Sequence, residues 1–233
     1  MQTQLYFWNP SRYRNELKIV LDYFNKTKTY FGNIETEAKE YGNNLYKSFR
    51  SNEDTDYSAV AEWAEEESVE MYQNLLRMKS NHLLMTISLL YHTWEQQLIK
   101  FTISELSHNI HFPKKVLHFG HVQSIFQLHR VSISETKAWK KIRELKQLTN
   151  TIKHGDGESA DKLRKLRPDF FQSEFFNDTD TLEILGSVLL EGYILKVNEN
   201  DLIEYVNATI SFWDEMPERA YADIDLVLEV LNK

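Results

Sequence analysis

Asn150 and His154 stand four residues apart in the segment Leu148-Thr149-Asn150-Thr151-Ile152-Lys153-His154-Gly155. On a helix that interval puts an amide and an imidazole on one face, a single turn apart. At about 100° per residue, Ile142, Leu145, Leu148 and Ile152 gather on one side of the same helix, as an apolar face does. Arg143, Lys146, Gln147, Asn150 and His154 gather on the other, with Trp139 at the edge. The imidazole is therefore expected at solvent or at a partner surface, beside cations, and not in the core. An imidazole titrates near neutrality, so in such a place it can give or take a proton, while neighbouring cations hold an anion. A plainer reading explains the same pair as polar residues that solvate a helix end and complement its dipole. Downstream, Lys162, Arg164, Lys165 and Arg167 extend the positive strip. They suit either phosphate contact or the wet side of a short helix that buries Leu163 and Leu166.

The pattern Asn150-x-x-x-His154 resembles part of the signature of HEPN domains. The Lys153-His154-Gly155 ending and a preceding central helix with Trp94-Glu95 match the same layout, over roughly residues 60–170. The resemblance implies an all-helical domain that dimerises so that two copies of the motif meet in a cleft and cut RNA without metal or other cofactor. In that setting His154 handles a proton at the 2′-hydroxyl or the leaving oxygen, and Asn150 orients it or the phosphate. The family places arginine immediately before the asparagine, and this chain has Thr149 there. Threonine carries no charge to stabilise a transition state, so the cation must come from Arg143, Lys153 or Lys146, or the site binds without cutting. The expected catalytic set is His154, Asn150, Arg143 and Lys153. The expected RNA-binding set is Lys146, Lys162, Arg164, Lys165 and Arg167. Further implications are a second copy of the chain, a protein partner such as an antitoxin, and a role in bacterial toxin–antitoxin or phage-defence systems.

Other constellations are weaker. His108-x-x-His111 and His118-x-x-His121 have a spacing that could assemble a metal site, although all-histidine structural sites are uncommon. Glu105-x-x-His108 has the interval of a di-iron bundle but lacks the second copy such a site needs. The chain has no phosphate-cradling glycine loop and no nucleophile elbow. Its tryptophans fall among apolar residues, as core does.

Charge is unevenly spread over the 233 residues. The net value is −8, yet residues 137–167 hold ten bases against four acids, and residues 53–70 hold eight acids and no base. Such a chain does not coat nucleic acid indiscriminately, although its basic strip can hold an anion locally. The acidic run supports a reading from a different class, a non-catalytic helical interaction protein that presents this face to a basic partner. Without cysteine, disulfides, thiolate nucleophiles and cysteine-ligated metals are excluded. The opening residues 1–8 lack the basic start and apolar run of a signal peptide, and no apolar stretch is long enough to span a bilayer. The expected location is the cytoplasm, with no membrane contact.

The elements that must position these residues are helices. Apolar spacing predicts one or two helices over residues 10–49, then one very long helix over 57–106, or two joined near Lys79–Asn81. Residues 51–56 form a polar break, and Asp54 or Asp56 caps the long helix. The wide apolar arc of its second half makes that half the spine. A short helix over 122–131 precedes a helix that Ser134 caps and that Gly155 ends. Pro168 ends a further short helix, and Asn198 or Asn200 caps one ending before Pro217. A hairpin or lone strand is expected near 187–197. The fold class is all-α, a HEPN-like bundle, with an N-terminal segment 1–55, a core 56–170 and a C-terminal accessory segment 171–233.

Overall fold

A computed structural model describes residues 1–50, 52–111, 117–172, 179–190 and 194–232. Strand β1 (Gln2–Tyr6) leads into helices α1 (Pro10–Thr27), α2 (Ile34–Ser48) and α3 (Tyr57–Leu106). Helices α4 (Phe119–Leu128), α5 (Trp139–His154), α6 (Glu158–Leu166) and the short α7 (Thr181–Leu185) come next. Helix α8 (Glu199–Asp214), strand β2 (Arg219–Asp223) and helix α9 (Ile224–Leu231) complete the order. No helix among the described residues is long and apolar enough to cross a membrane.

Helix α3 runs unbroken for 50 residues, about 75 Å at 1.5 Å per residue. Asp56 starts it, its carboxylate accepting the amides of Ser58 at 2.9 Å and Ala59 at 3.4 Å. The second half of α3 is the spine, with Leu84, Ile87, Leu90, Trp94, Leu98 and Phe101 all buried. Helices α1, α4, α5 and α8 pack around it. One continuous apolar cluster draws on residues from Leu5 to Leu231, and so on all three segments expected from sequence.

The first half of α3 belongs to a different structure. It pairs with α2 to form a two-helix arm whose apolar residues, Ile34, Ala38, Val60 and Ala64, are buried but lie outside the main cluster. Small side chains allow the helices to approach closely, and the Ser68 hydroxyl donates to the Ala38 carbonyl at 2.9 Å. At Gly42 an added Cβ would lie 2.7 Å from the Ala64 carbonyl and 2.8 Å from Ser68 Cβ. Gly42→Ala is therefore expected to force the arm apart at a cost of about 1–3 kcal/mol. Hydrogen exchange should show faster opening of residues 34–75 while residues near Trp94 keep their protection.

The only strands among the described residues close the molecule end to end. β1 and β2 pair antiparallel, with Gln2 opposite Asp223 and Tyr6 opposite Arg219. The Tyr6 amide donates to Glu105 Oε2 at 3.0 Å, so the carboxylate singled out in Glu105-x-x-His108 anchors a strand. The strand expected near 187–197 is not formed by the described residues of that segment, and residues 191–193 lie outside them. Val188, Ile194 and Leu195 instead enter the core as irregular chain. Their apolar run reflects burial, which a strand and a packed loop share.

Beneath β1 lies buried His129. Its Nδ1 is 2.7 Å from the Ile125 carbonyl and its Nε2 is 3.1 Å from Thr3 Oγ1. The carbonyl can only accept, so the ring carries a proton on Nδ1, while the Thr3 hydroxyl beside Nε2 also lies 3.3 Å from the Ala222 carbonyl. Burial favours this neutral ring and pushes the His129 pKa below its ordinary 6.5. His82, partly buried, is lowered for the same reason. In the unfolded chain both rings take up protons near pH 6.5 while the folded ones resist. Stability is then fully present above that value and is lost as pH falls below it, until the folded rings themselves titrate. Denaturant midpoints measured between pH 8 and 5 should fall with pH, and His129→Gln should flatten the slope.

Candidate functional site on helix α5

Helix α5 is held at both ends by distant residues. Ser134, the expected cap, sits instead in a 3-10 turn over Ile133–Glu135 and makes no capping hydrogen bond. The task falls to Glu215, whose carboxylate accepts the amides of Lys137 at 2.7 Å and Ala138 at 3.1 Å. A carboxylate at that end also meets the positive pole of the helix dipole. At the other end Gly155 turns the chain with φ 72°, as expected, and its amide returns to the Thr151 carbonyl at 2.8 Å. A Cβ there would sit 2.1 Å from the Gly186 carbonyl, which accepts the Asp156 amide at 3.1 Å. The end of α5 that bears His154 is thus seated directly against the turn after α7.

Between these anchors the two faces divide as the spacing requires. Ile142, Leu145, Leu148 and Ile152 are buried. Arg143, Lys153 and His154 are exposed and Asn150 is half-buried. Among the described residues, no hydrogen bond or ion pair engages the side chains of these four. Lys146 lies over the Phe119 ring at 5.2 Å, and Phe119 stacks on Trp139. By helical rise, Asn150 is about 6 Å and Arg143 about 16 Å along the axis from His154. Asn150 can therefore share a small anion with His154, whereas Arg143 of the same copy cannot.

Thr149 is 1% exposed and its hydroxyl is buried without a hydrogen-bond partner. An arginine in this position would have to place its guanidinium in the core, so the Thr149 position offers no route for a cation to His154 in this chain.

The downstream arginines are already committed. Arg164 contacts Asp156 at 2.8 Å, Asp161 at 3.0 Å and Asp180 at 2.6 Å. Arg167 donates through Nη1 to Glu144 and Asp201, both at 2.9 Å, lies against Asp169 at 2.7 Å and stacks over Phe170. Partial burial pushes both guanidiniums down, but the hydrogen bonds they donate to the carboxylates outweigh it and hold both above the ordinary arginine value. These two residues therefore join α5, α6 and α8 through internal ion pairs. Lys162 pairs with Glu158 at 2.6 Å on the surface, and exposed Lys165 makes no ion pair among the described residues.

The network around Arg167 was not legible in the sequence. Glu144 is only 6% exposed and accepts from Tyr205 at 2.7 Å and Lys141 at 3.2 Å. Burial and the adjacent Glu144 charge push the Tyr205 phenol well up. The single hint was an acid inside a basic helix, close to its apolar side.

The histidines of the loop do local work. His118 precedes α4 and its amide donates to His121 Nδ1 at 3.1 Å, an N-terminal cap in which the paired rings stack. His108 and His111 are exposed. No three His, Asp or Glu side chains among the described residues come together as a metal would require. The chain matches no protein-family model, no curated protein and no solved structure.

Proposed function

We propose that the outer face of α5 contacts RNA and that, in a homodimer, it forms a metal-independent ribonuclease site of the HEPN kind. The observation that carries this reading is the set of Arg143, Asn150, Lys153 and His154, held outward on a firmly anchored helix with no internal partners among the described residues. Lys146, Lys162 and Lys165 extend the same positive ground for the strand that enters. The distance along α5 supplies the reason for a second copy. Two α5 helices crossing antiparallel near residues 147–150 bring Arg143 of one beside His154 of the other. His154 then moves the proton, Asn150 positions the phosphate, and the partner's Arg143 meets the developing charge.

The test is cleavage of a structured RNA by the purified protein with excess chelator present. His154→Ala is expected to lower the rate by about 10²–10⁴, the usual worth of a proton-transferring group. Equal cutting by both proteins would end this reading, as would no cutting by either.

A second reading has its own observation. The arm made by α2 and the first half of α3 stands apart from the core cluster, and Glu62, Glu65, Glu66 and Glu70 line an open groove on it. As an interaction protein, the chain would present this arm to a basic partner. Charge reversal at Glu65 and Glu66 would then abolish partner capture, while His154→Ala would change nothing.

A further inference from the structure

Away from α5, the end of α1, the middle of α3 and the lead into α8 border a cavity of about 410 Å³. That is the size of an ordinary small-molecule site and equals the space of about fourteen waters in the liquid. Among the described residues, Lys28, Lys79 and Lys196 line it together with the carboxylate of Glu199. Lys28 satisfies that carboxylate at 2.6 Å while lying over the Phe24 ring. Exposed Lys79 has no carboxylate partner among the described residues, so the lining carries positive charge within a chain of net −8.

The remaining walls are apolar and aromatic. His82 stacks on Phe24 at 5.2 Å with rings 14° apart, and Phe31 leans toward the same imidazole at 5.5 Å. The Nε2 of His82 is engaged with Thr27, whose hydroxyl donates to the Tyr23 carbonyl, so the ring is fixed as part of the wall. Leu83, Leu195 and Val197 add aliphatic lining. Ring and aliphatic side chains beside ammonium groups suit a ligand that is itself two-sided. A bare anion would leave the apolar walls wet, and a neutral hydrocarbon would leave the lysines without a partner.

The geometry points to a binding site for a small organic anion, a flat or aliphatic apolar body bearing one carboxylate or phosphate. The body lies against Phe24, Phe31 and His82, and the acidic group meets Lys79. No chemistry is needed from the site; it is a place for recognition. It is independent of the α5 proposal, since no residue is shared.

The probe is 8-anilinonaphthalene-1-sulfonate, an aromatic anion of suitable size, titrated by fluorescence into the full-length native protein. Saturable one-to-one binding is expected. Lys79→Met should weaken it roughly five- to tenfold, the loss of about one charge-assisted contact. Ser80→Trp, which fills the cavity from α3, should abolish it, with circular dichroism confirming the fold. Decanoate and adenosine monophosphate serve as competitors. Displacement by the first alone assigns a carboxylate ligand, and by the second alone a phosphate ester. Unchanged affinity in both variants overturns the site. If uncharged N-phenyl-1-naphthylamine binds as tightly and loses as much with Lys79→Met, the anionic preference is overturned.

Discussion

Mixed in equal amounts, the Arg143→Ala and His154→Ala proteins are expected to recover about a quarter of the wild-type ribonuclease rate, although each alone is nearly inactive. Random exchange makes about half of the dimers hybrid, and each hybrid holds one site built from an intact His154 and an intact partner Arg143. Each homodimer of a single variant lacks one of the two groups at both sites. The removal of a charge-stabilising donor typically costs about 10²–10³ in rate, so the recovered activity stands far above either background. The expectation rests on the roughly 16 Å of helix between these side chains, which prevents a single copy from supplying both to one phosphate. A mixture no more active than its components would leave no composite site. Cleavage that is lost with His154 but indifferent to Arg143 would move the cationic role to Lys153.

Arg167→Met is expected to cost about 3–5 kcal/mol of folding stability, the range for breaking one side of a buried ion pair. Arg167 donates to Glu144 and Asp201, which are 6% and 5% exposed. Its loss leaves two buried carboxylates with only Lys141 and Tyr205 to engage Glu144, and the cost of an uncompensated buried charge exceeds that of the lost attraction. Arg167→Lys should recover a minor part, because one ammonium cannot reproduce a fork that spans Glu144, Asp201 and Asp169. Lys162→Ala removes only an exposed pair and should leave the midpoint close to that of the wild type. Urea unfolding followed by tryptophan fluorescence separates the three. Similar midpoints for all would mean that the network contributes nothing to the fold.

The sequence carried the helices and their faces because those depend on local spacing. The buried line Ile142, Leu145, Leu148 and Ile152, the turn at Gly155 and the caps at Asp56 and Asn198 all depend on residues within a few positions of one another. What was not legible is set by distance along the chain. Glu215 caps α5 from 78 residues away, Tyr205 reaches Glu144 across 61, and Gln2 pairs with Asp223. Strand β1 is too short for its alternation to stand out, and the apolar run near Val188 lacked any feature to distinguish packed loop from strand. At the candidate site the exposure of His154 and the place of Thr149 on the buried arc were both readable from the wheel. The commitment of Arg164 and Arg167 was not, since Asp180 and Asp201 approach them only once α7 and α8 have packed.

The pairing of β1 with β2 has a consequence for how the molecule is made. While the chain emerges from a ribosome, the backbone groups of Gln2–Tyr6 cannot find their strand partner until Arg219–Asp223 have been made. Joining points so far apart costs roughly 5 kcal/mol of loop entropy, which helices already docked along α3 reduce by bringing the two ends near each other beforehand. The Glu105 carboxylate and the buried imidazole of His129 are the fittings against which this clasp shuts.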